Sequence, residues 1–246
     1  MKRIKLTIEY EGANYSGWQR QRDARSIQEE IEKAVSKFSG MTSVTVCASG
    51  RTDAGVHAIE QVAHVDVSDK FDAEAVKRAV NHYLGNQNIT ILHAEEVSTD
   101  FHARFSAKKR RYLYRVINRK PKLSLEKHRA WHVPVSLDLE KMKEGASFFL
   151  GTHDFTSFRT IRCQAKNPIR AIDTFEIIED KGLIEFWVEG PSFLHHQVRN
   201  MVGTLVEIGK GRWQPDHIQK IFLEKKRAAA GQTAPPEGLY FISVSY

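Results

Sequence analysis

The sequence runs to 246 residues, 41% hydrophobic and 27% charged, enough for one large domain or two modest ones with separate cores. That balance excludes a chain kept disordered by low hydrophobicity, and no apolar stretch is long enough to cross a bilayer as a helix. A total of 37 Lys and Arg against 30 Asp and Glu leaves +7, which favours a polyanionic partner without naming one.

Ile4, Leu6, Ile8 and Tyr10 alternate with Arg3, Lys5, Thr7 and Glu9, the pattern of a half-buried strand. The opening residues lack the apolar middle of a signal peptide, so the expected location is the cytoplasm. A polar, glycine-bearing loop covers residues 11–25. Ser26-Ile27-Gln28-Glu29 then reads as a capping box, with Ser26 at the N-cap and Glu29 reaching back to its amide. Ile27, Ile31, Ala34, Val35 and Phe38 recur at helical spacing, and Gly40 stands where a C-terminal cap belongs. Strands are expected at 43–49 and 61–67, a helix from Asp72 to Gly85, and a strand at 89–97. This β-α-β-β-α-β order is the ferredoxin-like arrangement.

The second half repeats the order. Strands are expected at 107–118 and near Trp131, then a helix at 139–150. The runs 169–179 and 183–189 flank Asp180-Lys181-Gly182, a hairpin signal. Helices at 195–208 and 215–224 and a strand at 240–244 close the chain. The fold class is therefore α+β: two ferredoxin-like halves, residues 1–105 and 106–246, with a largely antiparallel mixed sheet and helices on one side. Sheets of this kind present an open face to RNA in recognition modules.

The densest chemical run is Gly50-Arg51-Thr52-Asp53-Ala54-Gly55-Val56-His57-Ala58, placed just after a strand. Taken alone, it is an ordinary turn with a local ion pair. These nine residues, however, match at every position the signature of the TruA family of tRNA pseudouridine synthases. The resemblance extends in order through Tyr15-Ser16-Gly17-Trp18-Gln19-Arg20-Gln21, Phe101-His102-Ala103-Arg104-Phe105-Ser106-Ala107, Arg110-Arg111-Tyr112-Leu113-Tyr114, Asp154-Phe155-Thr156-Ser157-Phe158, His195 to Gly203, and Gly238-Leu239-Tyr240.

The resemblance implies an enzyme that isomerises uridines 38, 39 and 40 in the anticodon stem-loop of tRNA, acts as a homodimer and needs no metal or other cofactor. It places the catalytic aspartate at Asp53, the substrate-contacting tyrosine at Tyr112 and the arginine of the Val-Arg-Asn motif at Arg199. The reaction breaks the N1–C1′ bond, turns the uracil and rejoins it through C5. An ionised carboxylate can attack the sugar, attack the base or remove a sugar proton, and the sequence leaves all three routes open.

An apolar pocket would raise the Asp53 pKa, and Arg51 or Arg199 nearby would favour its charged form, so an Asp53–Arg199 pair is expected. Tyr112 can stack on a flipped uracil or serve as a core residue. Lys108, Lys109, Arg110 and Arg111, with Arg20, Arg22 and Arg104, are the candidate phosphate contacts, which predicts salt-sensitive tRNA binding. His57, His64, His195 and His196 lack a recognised metal spacing and are expected in hydrogen-bonded structural roles. Cys47 and Cys163 read as two buried thiols in a reducing cytosol. Two rival functions are an RNA-binding module without catalysis, which has no need of Asp53 in such a loop, and a metal-dependent hydrolase using Asp53, His57 and other histidines.

Overall fold

The computed structural model describes residues 1–246. The chain folds as two compact units, Met1–Lys108 with Tyr240–Tyr246, and Lys109–Leu239.

The first unit begins with β1 (Lys2–Tyr10) and α1 (Ile27–Ser39), followed by β2 (Cys47–Ala48), β3 (His57–Val67), α2 (Ala73–Leu84) and β4 (Ile89–Val97). Strand β1 lies between β3 and β4, antiparallel to both, and β2 adds to β3, giving the strand arrangement of a ferredoxin-like half. The alternation in β1 sorts as expected: Ile4, Leu6, Ile8 and Tyr10 are buried. On the polar face Arg3 donates twice to Asp66, its cross-strand partner, and Lys5 reaches Glu95. Helix α1 packs on α2, and α2 packs on β4.

At α1 the cap is half the expected box. Ser26 accepts from the Glu29 amide, but the Glu29 carboxylate engages Lys33, one turn on, at 2.8 Å. Gly40 closes the helix with φ +74° as expected. Strand β2 is only two residues long because the Val46 amide leaves the ladder and donates to the buried Glu32 carboxylate at 3.0 Å.

The second unit holds β5 (Lys109–Asn118), β6 (Trp131–Val133), α3 (Leu139–Ser147), β7 (Gly151–Asp154), β8 (Ile169–Ile172), β9 (Thr174–Asp180), β10 (Leu183–Gly190), α4 (Gln197–Gly209) and α5 (His217–Glu224). Strand β10 lies between β5 and β9, antiparallel to both, while β6 runs parallel to β5. The run expected as one strand at 169–179 is two. The Asp173 amide bonds to Glu189, and β8 leaves to pair with β7, which the sequence did not signal. Helix α4 is buried at all thirteen positions, so it is a central core helix and not an amphipathic surface one.

The final strand, β11 (Leu239–Ser245), pairs in parallel with β3 through Tyr240–His57 and Phe241–Ala58. Tyr246 then donates to the Ala103 carbonyl at 2.9 Å, so the C-terminal residues belong with the first unit although chain order put them in the second. Cys47 and Cys163, expected to be buried, are free and only half-buried. No helix is long and apolar enough to cross a membrane.

Candidate active site

Asp53 sits in the loop that leads into β3, and that loop is held by β1, by β3 and by a second loop. Its carbonyl closes a tight turn by accepting from the Val56 amide at 3.2 Å. The residue before it, Thr52, is buried, and its hydroxyl shares a 2.7 Å hydrogen bond with Tyr10 at the end of β1. Tyr10 is 2% exposed and also engages Gln61; burial pushes its phenol up to about 12, so it stays protonated. Gln61 in turn accepts from Ser49 at 2.7 Å and donates to the Gly50 carbonyl at 3.0 Å. The strand floor, the start of the loop and the Asp53 flank therefore form one buried polar network with named partners.

A second loop, residues 12–18, clamps the same turn from the side. The Trp18 amide donates to the Thr52 carbonyl at 3.1 Å and the Gly55 amide to the Tyr15 carbonyl at 3.3 Å. Gly17 and Trp18 also accept from the first amides of α1, Ile27 and Gln28, at 3.2 and 3.0 Å. These would otherwise be orphan donors of the helix N-terminus. Two glycines permit the approach. A Cβ on Gly12 would stand 1.9 Å from the Val56 carbonyl oxygen, and one on Gly17 (φ +94°) 2.6 Å from that of Thr52. His57 completes the clamp, accepting from the Gly12 amide on Nδ1 at 3.2 Å while its ring stacks on Tyr240. Arg51 is exposed and Asp53 half-buried.

In the second unit Tyr112 lies on β5 opposite Val188 of β10. It is 9% exposed, with its ring edge-on to Phe193 at 5.0 Å. Two residues on, Tyr114 is fully buried and donates to the Pro235 carbonyl at 2.7 Å, so Tyr114 is the core tyrosine of this strand. Arg199, in the first turn of α4, is 9% exposed rather than a surface arginine. Its Nε donates to the Ala234 carbonyl at 2.8 Å, and the Ala234 amide returns a bond to its own carbonyl. Asn200 and Thr204 accept from Thr233 and from the Gly231 amide, so the polar side chains of α4 fix the whole segment 231–235.

The basic residues fall into different environments. Lys109 is paired with Asp173 at 2.9 Å and Glu189 at 3.4 Å, Arg110 donates to the Pro191 carbonyl, and Arg111 lies 4.6 Å from the Trp187 ring. Lys108 and Arg22 are exposed; Arg20 meets the buried Glu32 at 3.3 Å. Arg104 is exposed and stands over Phe105 at 5.7 Å.

Cys47, His64 and His102 bring potential ligand atoms within 4.8 Å of one another. Nδ1 of His64 accepts from the Ala103 amide, and Nδ1 of His102 from those of Arg104 and Phe105. A neutral His64 ring so held carries its proton on Nε2, which makes it a donor there. Burial, helped by Arg3, pushes His64 down to about 4 and keeps it neutral. Of the residues that support the Asp53 loop, Tyr10 and Gln61 read in the sequence only as strand residues. The glycine-rich 12–18 loop was the available signal that something must approach closely there.

The family model described as tRNA pseudouridine synthase matches residues 6–106 and again 146–246. A tRNA pseudouridine synthase A of Ehrlichia canis is 49% identical over 245 residues, covering 99% of this chain and 100% of that one. One from Wolbachia pipientis is 50% identical with the same coverage. One from Paramagnetospirillum magneticum is 48% identical over 246 residues, 100% of this chain and 96% of that one. Asp53 thus stands in a clamped, glycine-bearing loop of a chain that, along its full length, belongs to the tRNA pseudouridine synthase family.

Proposed function

We propose that this chain isomerises uridine to pseudouridine in tRNA, at positions 38, 39 and 40 of the anticodon stem-loop, with Asp53 as the catalytic carboxylate. The observation that carries the reading is the Gly50–Ala58 signature around Asp53, in a chain about half identical to tRNA pseudouridine synthases A over their full length. The clamped backbone supports it. A carboxylate that must meet a reacting atom benefits from a loop that has already lost its conformational freedom.

The chemistry assigns a role to each residue. The target uridine leaves its stack, which costs a few kcal/mol. The Asp53 carboxylate then acts as nucleophile or base while the N1–C1′ bond breaks and a C5–C1′ bond forms, C5 losing its proton and N1 gaining one. Tyr112 contacts the uracil ring, and Arg199, with Arg51, favours the ionised form of Asp53. Arg20, Arg22, Arg104, Lys108, Lys109, Arg110 and Arg111 contact phosphates, and the enzyme works in the cytoplasm as a homodimer without metal or cofactor.

Purified protein incubated with an unmodified tRNA transcript and no added cofactor should place pseudouridine at the three named positions, mapped base by base. Asp53→Asn should lower product formation by about 10³-fold or more while tRNA binding stays within a few-fold. Product at other positions would reject the anticodon assignment. An active Asp53→Asn protein would reject the catalytic one.

A further inference from the structure

Segment 98–106 combines two features that rarely go together: its backbone is pinned at nearly every residue, and it displays a large aromatic ring. Arg3 donates to the Thr99 and Phe101 carbonyls at 2.6 and 2.8 Å. His102 and Ser106 exchange hydrogen bonds at 3.0 and 2.9 Å. The Ala103 amide is tied to His64 and its carbonyl to Tyr246. The amides of Arg104 and Phe105 both donate to the His102 ring. At the tip of this rigid turn Phe105 is 76% exposed. The His102 ring lies 4.4 Å from it, tilted by 34°, and the Arg104 guanidinium stands 5.7 Å from its centroid.

An exposed Phe normally loses hydrophobic stabilisation for nothing in return, and a floppy one would also lose entropy on binding. Here the turn has already fixed the ring, one side of it is backed by an imidazole, and a cation borders it. We propose that Phe105 is a stacking platform for an unpaired nucleobase of the RNA substrate, with Arg104 on the adjoining phosphate. Every base has a π-face, and stacking beside an arginine is how aromatic side chains hold unpaired nucleotides without reading their sequence. A second protein copy fits less well. Phe105 is the one exposed large apolar side chain of its segment, among His102, Arg104 and Ser106, whereas the core of a protein interface needs apolar neighbours. The proposal rests on tRNA being the substrate.

The test measures binding of unmodified tRNA transcript to the parent, Phe105→Ala and Phe105→Trp at several salt concentrations, with sedimentation of each protein. Phe105→Ala should bind about ten-fold more weakly or worse, with an unchanged salt slope because no cation is lost, and Phe105→Trp should restore affinity to within about three-fold. All three should sediment alike. Affinity of Phe105→Ala within two-fold of the parent would overturn the proposal, as would a change in its oligomeric state, which would assign the ring to a copy of the chain. A parent that binds no tRNA would instead overturn the substrate reading, and this proposal with it.

Discussion

The Asp53 loop and the basic run at residues 108–111 are the two segments richest in proposed site residues, yet the structure treats them in opposite ways. In the loop, neighbours hold the backbone: Tyr10, Gln61, Trp18 and Tyr15 all bond to main chain or to Thr52. In the run, neighbours hold the charges themselves. Lys109 already has two carboxylates, Arg110 a carbonyl and Arg111 an indole. Fixing a backbone and fixing a charged end are different uses of the same kinds of bond. A cluster of charge in sequence is no measure of charge available to a ligand.

That contrast can be broken most severely at Gly12. Gly12→Ala puts a methyl group against the Val56 carbonyl and must shift the clamp. Overpacking of this kind costs about 1–3 kcal/mol, and displacement of the loop should lower turnover about 10²-fold. Thermal unfolding and single-turnover assays check both effects. A stable, fully active variant would mean the clamp does not set the Asp53 position.

Tyr10→Phe is a finer probe. It removes one hydroxyl and leaves Thr52 and Gln61 short of a buried partner, a loss of about 1–3 kcal/mol in stability. If the network positions the loop, turnover should fall roughly ten-fold at unchanged tRNA affinity. If stability alone falls, the network is only a buried hydrogen-bond set.

The smallest effects belong to the basic run. Lys108→Ala should reduce the slope of log affinity against log salt by about 0.9, the loss of one phosphate contact. Lys109→Ala should reduce the slope by less than that, because Asp173 and Glu189 compete with phosphate for that ammonium. Equal slopes for the two variants would show that RNA draws Lys109 out of its ion pairs.

The amino-acid pattern alone determined most of the elements. Alternation in 4–10 gave β1, helical spacing with Ser26 and Gly40 gave α1, and Asp180-Lys181-Gly182 gave the β9–β10 hairpin. These signals are local, written within one or two turns of chain. The Asp53 loop was legible only through its resemblance to a family signature, since its residues taken alone read as an ordinary turn. Only tertiary structure decided that β2 shrinks to two residues, that Tyr240–Tyr246 returns to the first unit, and that Tyr114 rather than Tyr112 is the fully buried tyrosine of β5. It also decided which cations are already paired. The physical reason is common to all four: periodicity states which side of a segment turns inward, whereas ladders, ion pairs and close approaches depend on residues far away in the chain that periodicity does not encode.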